Sequence, residues 1–347
     1  MPARLDTTAC PTPRWLPEGH SQTIYAALCA SHHRVGFARE RVETPDGDFI
    51  DLDWTAPGLV PGPAPAGGIA AALAARKPSP RGADALALFH GLEGSSASHY
   101  AQAIAQHFRS RGWTVVVPHF RGCSGEPNRL PRAYHSGDSA ELGFMLETVR
   151  QRAPDARWHA AGVSLGGNVL LKYLGEQGAA AGWLAAAAGI SAPLDLTVGG
   201  HALGHGFVNR RLYTPMFLRT LKSKTLQKAQ KFPGTVDVIR VANARDLKEF
   251  DDAYTAPTHG FRNADDYWAR ASSKPLLGGI AVPTLVLNAR NDPFLPAHCL
   301  PEPKDASDAV LLHQPRHGGH VGFATGRFPT SLGWLPARLA TFFRTGD

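Results

Sequence analysis

The chain has 347 residues, 43% hydrophobic, which is ample for one large core and excludes a wholly disordered protein. Its formal net charge is +7, but arginine outnumbers lysine 27 to 9, and no zinc-finger, RNP or heptad-plus-basic pattern accompanies the charge, so nucleic acid is not an expected partner. Cys10, Cys29, Cys123 and Cys299 lie far apart without metal-ligand spacing, and no stretch reads as a secretory signal or a bilayer span, so the expectation is a cytoplasmic protein with reduced thiols.

The first 36 residues read as irregular. Phe37 to Thr44 and Phe49 to Trp54 read as strands joined by the turn Pro45-Asp46-Gly47-Asp48. Residues 58–82, rich in Pro, Gly and Ala, read as a surface loop of low order without chemistry. Strand and helix signals then alternate. Strands are expected at Leu86 to Phe89, Thr114 to Val117, Trp158 to Ala161, Leu184 to Ile190, Pro283 to Asn288 and Val310 to Leu312. Helices are expected at His99 to Arg111, Ser136 to Arg152, Gly167 to Leu174 and Leu332 to Arg344. This alternation predicts an α/β fold, a mostly parallel sheet with helices on both faces, within one domain spanning 1–347. Between Leu194 and Lys274 it breaks. Helical fragments at Leu212 to Gln230 and Asn263 to Ala271 predict an inserted helical cap over 195–275.

The stretch Gly162-Val163-Ser164-Leu165-Gly166, between strand and helix, reads as a nucleophile elbow, a turn sharp enough to project the serine hydroxyl out of the fold. A serine needs a base, and the base an orienting acid, here expected in the order Ser, Asp, His. Asp292 follows the strand Pro283 to Ala289 and is preferred over Asp195. His320 lies beyond both glycines of His317-Gly318-Gly319-His320 and is preferred over His317. His313, His317 and His320 could be spaced as metal ligands on a helix, but Pro315 and two glycines argue against one, and neither metal nor organic cofactor is expected. The backbone N–H groups of Leu165 and of Leu92, in His90-Gly91-Leu92-Glu93-Gly94-Ser95, are the expected oxyanion donors.

With these parts assembled, the chain resembles the YheT-like α/β-hydrolases, relatives of the abhydrolase-domain lipases and esterases. The matching segments are Trp15 to Thr23, Asp46 to Trp54, His90 to Ser95, His119 to Asn128, Gly162 to Asn168, Phe250 to Pro257 and His317 to Phe323, so the resemblance covers nearly the whole chain. It implies an α/β-hydrolase fold and Ser164, Asp292 and His320 as a triad. It also implies short-chain ester, acylglycerol or phospholipid hydrolysis, with a small-molecule ester or lipid as substrate. An acyltransferase using the same triad, or a non-catalytic binding protein on this fold, are the alternatives.

Basicity concentrates at 210–231, with Arg210, Arg211, Arg219, Lys222, Lys224, Lys228 and Lys231 interleaved with apolar residues and no acidic residue between Asp195 and Asp237. Two readings stand. A basic amphipathic helix could rest on an anionic membrane, for a cytoplasmic protein its inner face, or attract an anionic substrate. Otherwise it is a solvated cationic face whose apolar side covers the site.

Overall fold

The structure is a computed structural model, and it describes residues 2–29, 34–76 and 84–347. Its strands are β1 (Arg4–Asp6), β2 (Ala38–Glu43), β3 (Phe49–Thr55), β4 (Gly62–Pro63), β5 (Asp84–Phe89), β6 (Thr114–Pro118), β7 (Arg157–Val163), β8 (Ala186–Ile190), β9 (Thr284–Leu287) and β10 (Val310–His313). They form one sheet in the order β1-β10-β9-β8-β7-β5-β6-β3-β2-β4. From β1 to β6 every pairing is parallel, while β3 runs antiparallel to both β6 and β2.

Alternation of side chains along the central strands builds two cores, one on each face. In β5, Ala85, Ala87 and Phe89 enter one core while Leu86 and Leu88 enter the other. The helices Ser139–Arg152 and Leu165–Gln177 cover the first face with Leu142, Met145, Leu146, Val149, Leu170 and Leu174. The helices His99–Arg109 and Trp334–Thr345 cover the second with Ile104, Phe108, Leu339 and Phe342. The register pairs Phe89 with Gly162, Val163 with Ile190, Ile190 with Leu287 and Leu287 with His313. The loops leaving β5, β7, β8, β9 and β10 therefore emerge along one carboxyl-terminal edge, where open α/β sheets gather their sites.

Two stretches depart from the sequence expectation. Residues 2–29 are not irregular throughout: they hold β1 and the helix Gly19–Leu28, whose start carries a capping box between Glu18 and Ser21. In 58–82, β4 pairs with β2, the helix Gly68–Ala74 follows, and Ile69 is buried; residues 77–82 of that stretch lie outside the described residues. Between β8 and β9 the chain forms the helix Leu196–Gly204, a continuous helix 209–231 with a π-type first turn, and shorter helices through Ala271. Asn168 ties this insertion to the elbow helix. Its Nδ2 donates to Ser136 O (2.7 Å) and Ala271 O (2.8 Å), and its Oδ1 accepts from Ser273 N (3.0 Å).

Burial of histidines makes the fold acid-sensitive. It pushes His90 and His259 down to about 3, and His107, His135 and His159 down to about 4. Unfolded, these side chains bind protons from about pH 6.5 downward, so between there and pH 4 the unfolded state holds more protons and stability falls with pH. Glu141, raised to about 7, and Asp251, raised to about 6, act in the opposite sense but are outnumbered. Each net proton taken up on unfolding removes about 1.4 kcal/mol per pH unit. The expected outcome is a steep loss of Tm by calorimetry between pH 6.5 and 5, and a flat Tm over that window would contradict it.

Candidate active site

Ser164 leaves β7 at φ +53°, ψ −119°, a strained conformation for a residue with a Cβ. Its neighbours explain why the turn is held. A Cβ on Gly162 would lie 2.3 Å from Gly166 O, and one on Gly166 would lie 2.5 Å from His90 O and 2.7 Å from Phe89 O. Strand, helix start and the loop after β5 approach so closely that no side chain fits at either glycine. Ser164 N donates to Ile190 O (2.8 Å), and its hydroxyl lies 2.9 Å from His320 Nε2.

His320 Nδ1 is 2.8 Å from Asp292 Oδ2, and the carboxylate is buried, its Oδ1 accepting from Phe294 N (2.8 Å). The Phe294 ring packs on the imidazole at 4.2 Å between centroids, closing one side to water. Ser164, His320 and Asp292 are thus in one hydrogen-bonded line. The other candidates are elsewhere. Asp195 caps the helix Leu196–Gly204 by accepting from Val198 N (3.1 Å), His317 sits 3.4 Å from the Asn291 amide, and His313 contacts Thr8 O from β10.

The loops bearing Asp292 and His320 are fastened to the helix Gly19–Leu28, which the sequence reading left without a role. The buried Gln22 Oε1 accepts from both Gly318 N (2.8 Å) and Asn291 Nδ2 (3.0 Å), while its Nε2 donates to Leu16 O (2.8 Å). Thr23 Oγ1 accepts from His320 N (2.8 Å), and Asn291 Oδ1 accepts from Gly319 N (3.0 Å). A Cβ on Gly19 would fall 1.8 Å from Asn291 O, so the helix lies directly on the loop. Its sequence signal is Trp15 to Thr23, one of the segments that carry the family resemblance.

The loop after β5 crosses beside the serine: a Cβ on Gly91 would stand 3.1 Å from Ser164 Cβ. Most of its N–H groups are committed. Gly91 donates to Tyr100 OH (2.8 Å), Glu93 to Tyr134 OH (2.9 Å) and Gly94 to Gly91 O (2.9 Å), and among the described residues Leu92 N–H has no partner. Leu165 is the first residue of its helix, where backbone N–H groups lack intrahelical acceptors. His90 anchors the loop as a neutral imidazole: Nδ1 meets Gly91 O (2.8 Å) and Nε2 accepts from Phe120 N (3.1 Å).

A cavity of about 570 Å³ opens over Ser164 and His320. One wall is the loop from Arg121 to Asn128, held by Arg121 against Asp48 (3.0 Å) and Glu141 (2.5 Å) and by Asn128 Nδ2 against Asp48 (2.6 Å). The roof is the β8–β9 insertion, with Leu203, Phe217, Leu221, Phe250 and Trp268. The lysines of helix 209–231 each have a partner, although Lys231 is exposed and the Lys224 side chain is 41% exposed. Lys228 Nζ donates to Leu130 O (3.0 Å) and Arg132 O (2.6 Å), Lys231 to Arg129 O (3.3 Å) and Lys222 to Ala242 O (2.9 Å), while Lys224 pairs with Glu93 (2.8 Å). Burial lowers the Lys228 ammonium to about 8.

The alpha/beta hydrolase fold family matches residues 84–326. YheT of Escherichia coli (strain K12), a protein named as an esterase, is 36% identical over 94% of this chain and 90% of its own length. Phospholipase ABHD3 of Homo sapiens is 30% identical over 91% of this chain and 73% of its own. Among solved structures, the Pyrococcus furiosus esterase PF2001 matches with a TM-score of 0.54 at 16% identity, covering 91% of this chain and 97% of that one, a likeness of fold. With its parallel sheet, its serine on a glycine-flanked turn after β7 and these relatives, the chain belongs to the alpha/beta hydrolase fold family, among the kin of YheT.

Proposed function

We propose that this protein is a serine hydrolase of carboxylic esters, acting on a short-chain ester, acylglycerol or phospholipid through an acyl-enzyme. The observation that carries the reading is the hydrogen-bonded line from Ser164 Oγ through His320 to the buried Asp292. His320 takes the Ser164 proton as the hydroxyl attacks the acyl carbonyl, then delivers it to the leaving alcohol. Asp292 fixes the tautomer that leaves Nε2 free to accept. Leu92 and Leu165 N–H receive the oxyanion, and water releases the acyl group. The insertion over 195–275 acts as a cap whose apolar underside selects the acyl chain. The names of YheT and ABHD3 support an ester as substrate, and no helix among the described residues is long and apolar enough to cross a membrane.

A second reading concerns the outer face of the cap. Arg210, Arg211, Arg219 and Arg240 are exposed, as are the apolar residues Phe207, Leu212, Met216 and Ile239. That mixture fits the surface of an anionic bilayer, which would deliver lipid substrate to the cavity mouth.

Ser164→Ala should lower turnover of 4-nitrophenyl esters by on the order of a million-fold and abolish fluorophosphonate labelling. Activity kept within tenfold of the parent would refute the mechanism. Asp292→Asn should cost roughly ten thousand-fold, whereas Asp195→Asn, which can still cap its helix, should cost almost nothing; the reverse pattern would reassign the acid. Gln22→Leu should lower kcat by about a hundredfold through misplacement of the His320 and Asp292 loops. It should also cost about 1–3 kcal/mol of stability, because Gly318 N–H and the Asn291 amide lose their acceptor. Unchanged kcat would show that the loops hold their own geometry. Co-sedimentation with phosphatidylglycerol but not phosphatidylcholine vesicles at low salt, weakened at least about tenfold by Arg211→Glu with Arg219→Glu, is expected of the cap surface. Absence of pelleting would retire membrane docking.

A further inference from the structure

Glu93 places a carboxylate one residue from Leu92 N–H, in a wall of the cavity beside the serine. A fixed negative charge there opposes the negative oxygen that the site is proposed to stabilise. The residue is also strained, with φ +56°. Two groups hold it. Tyr134, partly buried and stacked on Phe120 with ring centroids 5.5 Å apart, accepts from Glu93 N (2.9 Å) and donates to Glu93 Oε1 (2.8 Å). Lys224, from helix 209–231, meets Glu93 Oε2 at 2.8 Å, and its ammonium also lies 3.8 Å from Cys123 Sγ. The carboxylate is only 9% exposed while the Lys224 side chain is 41% exposed, so the lysine supplies the counter-charge from the solvent side. Tyr100 fixes the other end of the loop through Gly91 N, and a Cβ on Gly94 would fall 2.7 Å from that hydroxyl. Among the described residues, Lys224 is the one ion pair between the insertion and this loop.

We propose that Lys224 is a positioning residue: by neutralising and seating Glu93 it makes the Leu92 N–H competent to receive the oxyanion, so that the site is complete only when the cap helix is seated. The proposal rests on the serine-hydrolase reading above. A substrate that props up this helix would then bind without being turned over, which links acyl selection to kcat as well as to KM.

The test uses the full chain and 4-nitrophenyl acetate, an ester too small to need the cap for binding. Lys224→Met should lower kcat by about 10- to 100-fold with KM within threefold, and slow fluorophosphonate labelling in parallel, because an uncompensated carboxylate faces the oxyanion. Lys224→Arg should keep most of the rate. Adding Glu93→Gln to Lys224→Met should restore at least about tenfold of a hundredfold loss, since the opposing charge is gone while the Tyr134 contact survives. A Lys224→Met variant that changes only KM would make the lysine a pocket wall and overturn the proposal. So would a kcat loss that Glu93→Gln does not relieve. A melting curve within a few degrees of the parent shows that the folded state is the one measured; if Lys224→Met melts early, Lys224→Gln is read instead by the same criteria. Ser164→Ala separates the two layers: residual turnover there sinks the hydrolase reading, whereas its loss together with an unaffected Lys224→Met sinks the coupling alone.

Discussion

Ser164 can hold a φ of +53° only because Gly162, Gly166 and the loop after β5 press backbone against backbone, and the rest of the site is arranged around that contact. The strain costs on the order of 1–3 kcal/mol, and two cores packed on either face of the sheet supply the rigidity to keep it. The register then matters as much as the turn. Because Phe89, Gly162, Gly189 and Val286 run abreast in a parallel ladder, each following loop starts at the same height. A one-residue slip in β9 would turn its side chains to the opposite face and misdirect the loop that carries Asp292.

Those loops have little regular structure of their own, and glycines make them pliable. What fixes them comes from the other end of the sequence. Gln22 reaches Gly318 across 296 residues and Asn291 across 269, and Thr23 reaches His320 across 297. The N-terminal helix works as a brace. Its own burial against the acid loop explains why Gly19 must be glycine, and why its polar side chains face inward where helices usually bury apolar ones.

Much of the fold was legible because two-sided burial leaves a continuous apolar run, as in Thr114 to Val117, and a hairpin leaves Pro45-Asp46-Gly47-Asp48. Of the candidate site, Ser164, His320 and Asp292 could be picked out because each follows a strand, and chain order narrows the choice. The brace was not legible, since long-range hydrogen bonds leave no periodicity. A capping box at Glu18 and Ser21 is a local sign of a helix there. The helix Gly68–Ala74 was missed for the opposite reason: in an Ala-rich stretch flanked by Pro and Gly, helix propensity and turn signals compete, and the burial of Ile69 decided between them.

The β8–β9 insertion shows why charge along a sequence does not give direction. From 210 to 231 the cations look alike, yet on the helix they divide. Lysines 224, 228 and 231 fall at spacings of four and three and so share one face, and that face lies over the loop 129–134 and Glu93. A lysine stem can run along apolar surface and deliver a compact ammonium to converging carbonyl groups. Arg210, Arg211 and Arg219 are exposed. Helix 209–231 thus joins two surfaces with different chemistry, one held against the loop 129–134 and Glu93 and one open to solvent.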